Sequence, residues 1–337
     1  MAKISTSGTG TLTKALSEKG KTFFSKILPW LISGGLVCYV VLTEDMMAVA
    51  EALGKGNLIL FLGVAVPFLL SLLLLETIFL FYGFRWFAGA GELRDLFRAR
   101  AATYLLTIIS IFVGLGGLII YGNRRYKISY SMGTTIVLNE LLHELASQCG
   151  LAMLVGLALP LLVVPDAALK QINGVMTVGV TGVGIYAAII LVTMVYRHIL
   201  TEYGTIAIFN PFSDISIQQY AVFLVIKLFQ NILYGFFLAG LLYSFGIKPP
   251  LIVCVAFMQI IHLTRAIPVS AFGIGVDQIA IIFLFSAWEP ADSTGLLLAC
   301  SLVFTFTMIF GRALLGVPFL KGVFNDLIES SEDKESC

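Results

Sequence analysis

The sequence predicts an all-α polytopic membrane protein with about six spanning helices and two opposed re-entrant helical hairpins. Three observations lead there. Of 337 residues, 58% are hydrophobic and 12% charged, against about 25% charged in soluble domains. Several apolar runs approach the ~20 residues that cross a bilayer as a helix. Lys and Arg gather in clusters between those runs, as the positive-inside rule expects of cytoplasmic loops.

Residues 1–22 are rich in Ser, Thr, Gly and Lys and read as a loose basic tail. The first apolar run, 23–43, lacks a small-residue cleavage site after it. It is expected to remain as an anchor. Further spans are expected over 58–82, 144–165, 174–196, 217–245 and 294–318. Together 23–320 form one integral membrane domain, and 321–337 a polar, acidic tail. The cysteines, Cys38, Cys149, Cys254, Cys300 and Cys337, are scattered and suggest neither a disulfide framework nor a metal site. No cofactor is expected.

Two segments fit poorly as simple spans. Segment 251–288 has 38 residues. As one helix it would be roughly 57 Å long, against a ~30 Å hydrocarbon core. Pro268, Gly273 and Gly275 lie near its middle, which favours a hairpin entering and leaving by one face. Segment 101–122 has the length of a span, so charge decides. Arg85, Arg94, Arg98 and Arg100 precede it, and Arg124, Arg125 and Lys127 come after it. A hairpin keeps both clusters in the cytoplasm. Gly114, Gly116 and Gly117 would make the turn inexpensive.

With both hairpins re-entrant, both termini are cytoplasmic. Fifteen of the 21 basic residues then lie inside and three, Lys55, Lys170 and Lys248, outside. Lys227, Arg265 and Arg312 remain in apolar segments. Trp30, Trp86 and Trp288 fall near predicted interfaces, where amphipathic indoles settle. Hairpins entering from opposite faces, each with a span after it, suggest an inverted repeat of the kind found in transporters.

The stretch from Arg265 to Gln278 stands out. It places a charge at each end, a proline, Ser270 and two glycines inside apolar sequence. Irregular backbone and ionisable groups at membrane depth persist only inside protein or beside a wet cavity. Lys227, Gln230 and Asn231 form a second polar group, in the span 217–245, with Lys227 and Asn231 on one face. Glu140, His143 and Glu144 share a helical face at the start of the third span. Their spacing resembles metal ligands, but a matching second set is missing, so no metal is expected. An interfacial acidic patch pairing with Arg124 or Arg125 is the favoured reading. Ser270 has no histidine nearby in sequence, and pairing it with His262 has no support in the spacing.

Three places resemble a known family. Arg85-Trp86 with the Arg-rich stretch behind it, the acids Glu140 and Glu144, and the proline-then-glycine segment Pro268, Gly273 and Gly275 are similar to features of the flippase-like integral membrane domain of lysylphosphatidylglycerol synthases. That domain also occurs alone. The resemblance covers about 27–320. It departs at Gln278, where the family has glutamate; the acid here is Asp277. Leu141 stands where the family often has arginine after its first acid, and the first hairpin lacks the family's proline. The synthase's soluble aminoacyl-transferring domain is absent from 1–337, so the resemblance carries no enzyme activity. It implies lipid handling.

The chemistry of the broken segment offers Arg265 as a phosphate ligand, with Asp277 tuning or releasing it and Gln278, Pro268, Ser270, Gly273, Gly275, Lys227, Gln230 and Asn231 as further substrate-binding candidates; a buried Arg265–Asp277 pair closing the hairpin is the competing reading. Arg85, Arg124 and Arg125 would meet headgroups at the cytoplasmic surface with Glu140 and Glu144. The implied function is a flippase or flippase-like carrier for an anionic lipid, a phospholipid or a polyprenyl-phosphate-linked precursor, in the cytoplasmic membrane. The alternatives are an intramembrane lipid-headgroup transferase or hydrolase, and a non-transporting membrane partner of a glycosyltransferase. Membrane lipids, a lipid-synthesis enzyme and a second copy of the chain are the partners left open; nucleic acid is not expected.

Overall fold

A computed structural model describes residues 46–108, 111–158, 173–188, 216–266, 274–290 and 295–323. The described residues are helical throughout, with short connections and no strand among them. The helices are α1 (Met46–Lys55), α2 (Leu58–Ala88), α3 (Leu93–Thr107), α4 (Ile111–Tyr126) and α5 (Tyr130–Ala158). They continue as α6 (173–188), α7 (Ile217–Ser244), α8 (Leu251–Ala266), α9 (Val276–Phe285) and α10 (Leu296–Val323). Four of them, α2, α5, α7 and α10, are long and apolar enough to cross a membrane. The expected span 23–43 lies outside the described residues, as do parts of 144–165 and 174–196.

Local chemistry sets several boundaries. The Asn57 side chain accepts the Leu60 N–H at 3.0 Å and caps α2. Gly89, in the left-handed region at φ 62°, ends it. Ser216 and Gln219 make a reciprocal capping box at the start of α7. Gly246 closes α7 and two prolines, Pro249 and Pro250, lead into α8.

Two helices are longer than expected. α2 runs to Ala88 rather than 82, so Arg85-Trp86 lies within the helix instead of after it. α5 begins at Tyr130, fourteen residues before the expected 144. Glu140 and Glu144 therefore fall near the middle of α5, not at its mouth. Their polarity suggested an interface, but they turn to charged partners on other helices.

Segment 101–122 falls on two helices, α3 ending at Thr107 and α4 beginning at Ile111. The arms α3 and α4 run antiparallel. The Tyr126 hydroxyl accepts the Glu92 N–H at 3.2 Å, and Asp95 pairs with Arg125 at 3.0 Å at the open end. The glycines do not form the turn. Gly114 and Gly117 lie inside α4 where a Cβ would press on Thr107 and Leu106 of α3, and Gly116 faces open space. Two of them serve close packing of the arms rather than the bend.

Segment 251–288 is likewise interrupted. α8 ends at Ala266 and α9 begins at Val276, capped by Gly275 at φ 89°. Phe257 of α8 meets Phe285 and Trp288 at ring-centroid distances of 5.3 and 6.1 Å, so these arms also run antiparallel.

The largest apolar core joins α2, α7, α8, α9 and α10 around Phe68, Phe237, Phe257, Phe285 and Phe304. Phe68 and Phe237 stack at 4.3 Å. A smaller core joins α2, α3, α4 and α5 around Leu80, Phe84, Leu96, Leu118 and Ile136. Polar side chains from both helix pairs meet on the helices that connect these cores.

Candidate functional site

Glu76 is the residue on which the centre of the bundle turns. It lies 12 residues from the end of α2, about 18 Å along the axis. Its Oε2 accepts from Arg100 Nε and from the Tyr104 hydroxyl (2.9 Å), both on α3. Its Oε1 accepts from Arg312 on α10 at 2.7 Å. Arg100 also donates to Glu140 Oε1 on α5 at 3.1 Å. That same oxygen lies 3.2 Å from Lys227 Nζ of α7. Lys227 in turn reaches Glu144 Oε2 at 2.9 Å and Gln230 at 3.1 Å. Gln148 then bonds Glu144 Oε1 at 3.1 Å and lies 3.3 Å from Nδ1 of His262, on α8.

The result is one polar chain: Arg312, Glu76, Arg100, Glu140, Lys227, Glu144, Gln148, His262. It crosses six helices and touches one arm of each helix pair, α3 and α8. It contains three carboxylates and three cations. Each charge alone would be expensive in an apolar interior, and the pairing offsets that cost. Glu76, Arg100, Glu140 and Lys227 are buried, whereas Glu144 and Arg312 each leave 21% of the side chain exposed. Arg312 also sits over the Tyr104 ring at 4.4 Å, and Lys227 over Phe79 at 4.9 Å.

Backbone irregularity marks one end. A π-helical turn, Thr307–Gly311, immediately precedes Arg312. Such a turn adds a residue and rotates the next stretch of helix about its axis. Gly311 lets α10 close on Leu69 of α2, since a Cβ there would lie 2.8 Å from its Cδ1. Arg312 thereby reaches Glu76 across the contact.

The chain has spare hydrogen-bonding capacity on one face of α5. Glu140 Oε2, His143 Nε2 and both ends of the Asn139 amide have no partner among the described residues. His143 is buried among the rings of Phe79, Phe223, Tyr186 and Tyr220. Its Nδ1 faces the Asn139 carbonyl at 2.9 Å. Buried polar atoms left in this state are the natural contacts for water or a polar ligand.

Only some of the sequence-derived candidates converge. Lys227, Glu140 and Glu144 come together in the chain. Gln230 bonds Lys227, and Asn231 donates to Ser147 of α5 at 2.7 Å. The expected pairing of Glu140 and Glu144 with Arg124 or Arg125 is corrected: these acids take Arg100 and Lys227, and Arg125 takes Asp95. Arg124 and Arg85 are exposed; Arg85 lies over the Phe81 ring at 5.9 Å. Arg100, assigned to a cytoplasmic cluster by the charge tally, is buried in the chain. Burial is tolerated because Glu76 and Glu140 neutralise it from two helices.

On the second helix pair, Asp277 and Gln278 are buried and tie the first turn of α9 to α10. Gln278 donates to Thr305 Oγ1 at 3.0 Å and accepts the Gly275 N–H, while Thr305 donates to Asp277 at 3.4 Å. Arg265 belongs to α8, three residues beyond His262; its side chain, with Pro268, Ser270 and Gly273, lies outside the described residues. Among the described residues no group of three His, Cys, Asp or Glu is placed to hold a metal ion.

Glu76, Tyr104 and Arg312 escaped the sequence-based selection of site residues. Glu76 is a single acid inside the apolar span 58–82. An ionisable residue in a spanning segment is itself a signal of function, and it could have been read. Tyr104 carried no comparable signal. No family model matches the chain, and neither the curated proteins nor the solved structures yield a match to it.

Proposed function

We propose that this chain is a lipid-handling membrane protein: a flippase-like carrier that moves or presents an anionic lipid across the cytoplasmic membrane. In this reading α3–α4 and α8–α9 are re-entrant hairpins opening to opposite faces, and both termini are cytoplasmic. The observation that carries it is the polar chain from Arg312 to His262, which links one arm of each pair through the middle of the bundle. Charges at that depth are retained where they serve transport or binding.

The chemistry suggests how such a site works. Lys227 is held between two carboxylates, so a lipid phosphate binds there only by displacing one of them. That exchange changes which helices are tied together. In this reading Arg265, one turn beyond His262 on α8, delivers the phosphate to this point.

The test is reconstitution of the purified protein in liposomes holding fluorescent phosphatidylglycerol, with leaflet exchange measured by dithionite quenching. The expected result is exchange above that of empty liposomes, lost in Arg265→Ala and Lys227→Met. A well-folded protein that moves no tested anionic lipid overturns the reading. One observation favours a second reading, a non-transporting membrane partner: every charge of the network is already matched within it. That reading expects no leaflet exchange, and unchanged assembly in Arg265→Ala.

A further inference from the structure

A second feature lies on the outer side of α3, apart from the buried chain. A groove of 520 Å³ runs between α2, α3 and α10, lined by Leu74, Leu93, Arg94, Phe97, Arg98 and Phe319. This falls within the about 300–1,000 Å³ of small-molecule sites. Arg94 and Arg98 are one turn apart on the same face of α3. Neither forms an ion pair among the described residues, and the adjoining acid, Asp95, is turned away to Arg125. Leu74 and Leu93 are 47% and 44% exposed. Phe97 and Phe319 meet edge to face at 5.6 Å and form the floor.

We infer that this groove binds one anionic phospholipid, with its phosphate on Arg94 and Arg98 and an acyl chain along Phe97, Phe319 and Leu74. Two guanidinium forks suit a phosphate better than any neutral headgroup. The apolar side chains Leu74, Leu93, Phe97 and Phe319 line the same groove as the two arginines. A stretch of hydrocarbon chain matches that apolar lining beside a phosphate on the arginines. The acidic stretch 324–337, which comes after α10 in sequence and carries Asp326, Glu329, Glu332, Asp333 and Glu335, is the competing occupant. Its carboxylates could meet the arginines, but it has few apolar side chains to lay along Leu74. The site does not depend on transport, because none of its residues belongs to the buried network.

The experiment uses the full chain in detergent micelles and measures binding of phosphatidylglycerol and phosphatidylcholine with matched acyl chains by native mass spectrometry. Phosphatidylglycerol is expected to bind preferentially. Arg94→Gln/Arg98→Gln should weaken it about tenfold or more, the loss of charge-assisted hydrogen bonds. Lys248→Gln, at an exposed lysine in the connection between α7 and α8, should leave it unchanged, and all variants should keep the parent melting temperature. Glycerol phosphate, lacking acyl chains, should compete poorly. Equal binding of the two lipids, or undiminished binding of phosphatidylglycerol by the double variant, overturns the proposal. So does full competition by glycerol phosphate. A chain ending at 323 should bind as the full chain does; about tenfold tighter binding would assign the groove to the acidic segment instead.

Discussion

Lys227 Nζ stands 2.9 Å from Glu144 Oε2 and 3.2 Å from Glu140 Oε1, so one cation of α7 holds two acids a helical turn apart on α5. The pairing explains why a lysine with 2% of its side chain exposed is tolerated there. It also makes the residue costly to remove singly. Lys227→Met should destabilise the protein by about 3–5 kcal/mol, because the carboxylates stay buried without their cation. Adding Glu144→Gln should recover about 1–3 kcal/mol of that loss. Thermal or urea unfolding in detergent measures both. Additive losses would mean that the two side chains are not coupled.

Glu76 holds Arg100, Tyr104 and Arg312 together. Glu76→Ala should cost about 3–5 kcal/mol, as two guanidiniums lose a shared carboxylate. Glu76→Ala/Arg312→Met removes one charge of each sign and should be milder than Glu76→Ala alone. An unfolding midpoint for the double variant below that of Glu76→Ala would contradict the pairing.

The glycines of α4 make a graded test. Gly116 faces open space, and Gly116→Ala should stabilise by up to about 1 kcal/mol through helix propensity. At Gly117 a Cβ meets Leu106 Cδ1 at 2.7 Å and Thr103 Cγ2 at 3.2 Å. Gly117→Val should therefore cost about 1–3 kcal/mol by overpacking. Gly235 on α7 is tighter still, with Val255 Cα at 2.6 Å from its Cβ position. Because backbone cannot swing aside, even Gly235→Ala should destabilise. Comparable melting temperatures for all three variants would argue against close packing at these sites.

The two ends of the α3–α4 pair are adjacent, joined by Glu92–Tyr126 and Asp95–Arg125 contacts. Glu92→Cys and Arg124→Cys should therefore react with an impermeant maleimide from one face of the membrane, the cytoplasmic one. Both are introduced in a protein with Cys38 and Cys337 replaced by serine; the native cysteines at 149, 254 and 300 are buried and should stay silent. Labelling of the two positions from opposite faces would rule out a re-entrant pair.

The all-α class, the long apolar helices over 58–82, 217–245 and 294–318 and the division of both irregular segments into shorter helices were legible in the sequence. Each is encoded locally, in a run of apolar side chains or in its punctuation by glycine, proline and charge. Local pattern failed where polar side chains found distant partners. Glu140 and Glu144 looked like a helix mouth because nothing near them in sequence neutralises them; Arg100 and Lys227 do so, from 40 and 83 residues away respectively. Glu76 was hidden by the apolar residues around it, and Gly114 and Gly117 looked like a turn because close packing and bending use the same residue. By itself the sequence determined that a set of helices would enter apolar surroundings carrying more charge than those surroundings tolerate. Only the tertiary structure decided which charges cancel, because Coulomb pairing at about 3 Å depends on how helices cross and not on where their residues stand in the chain.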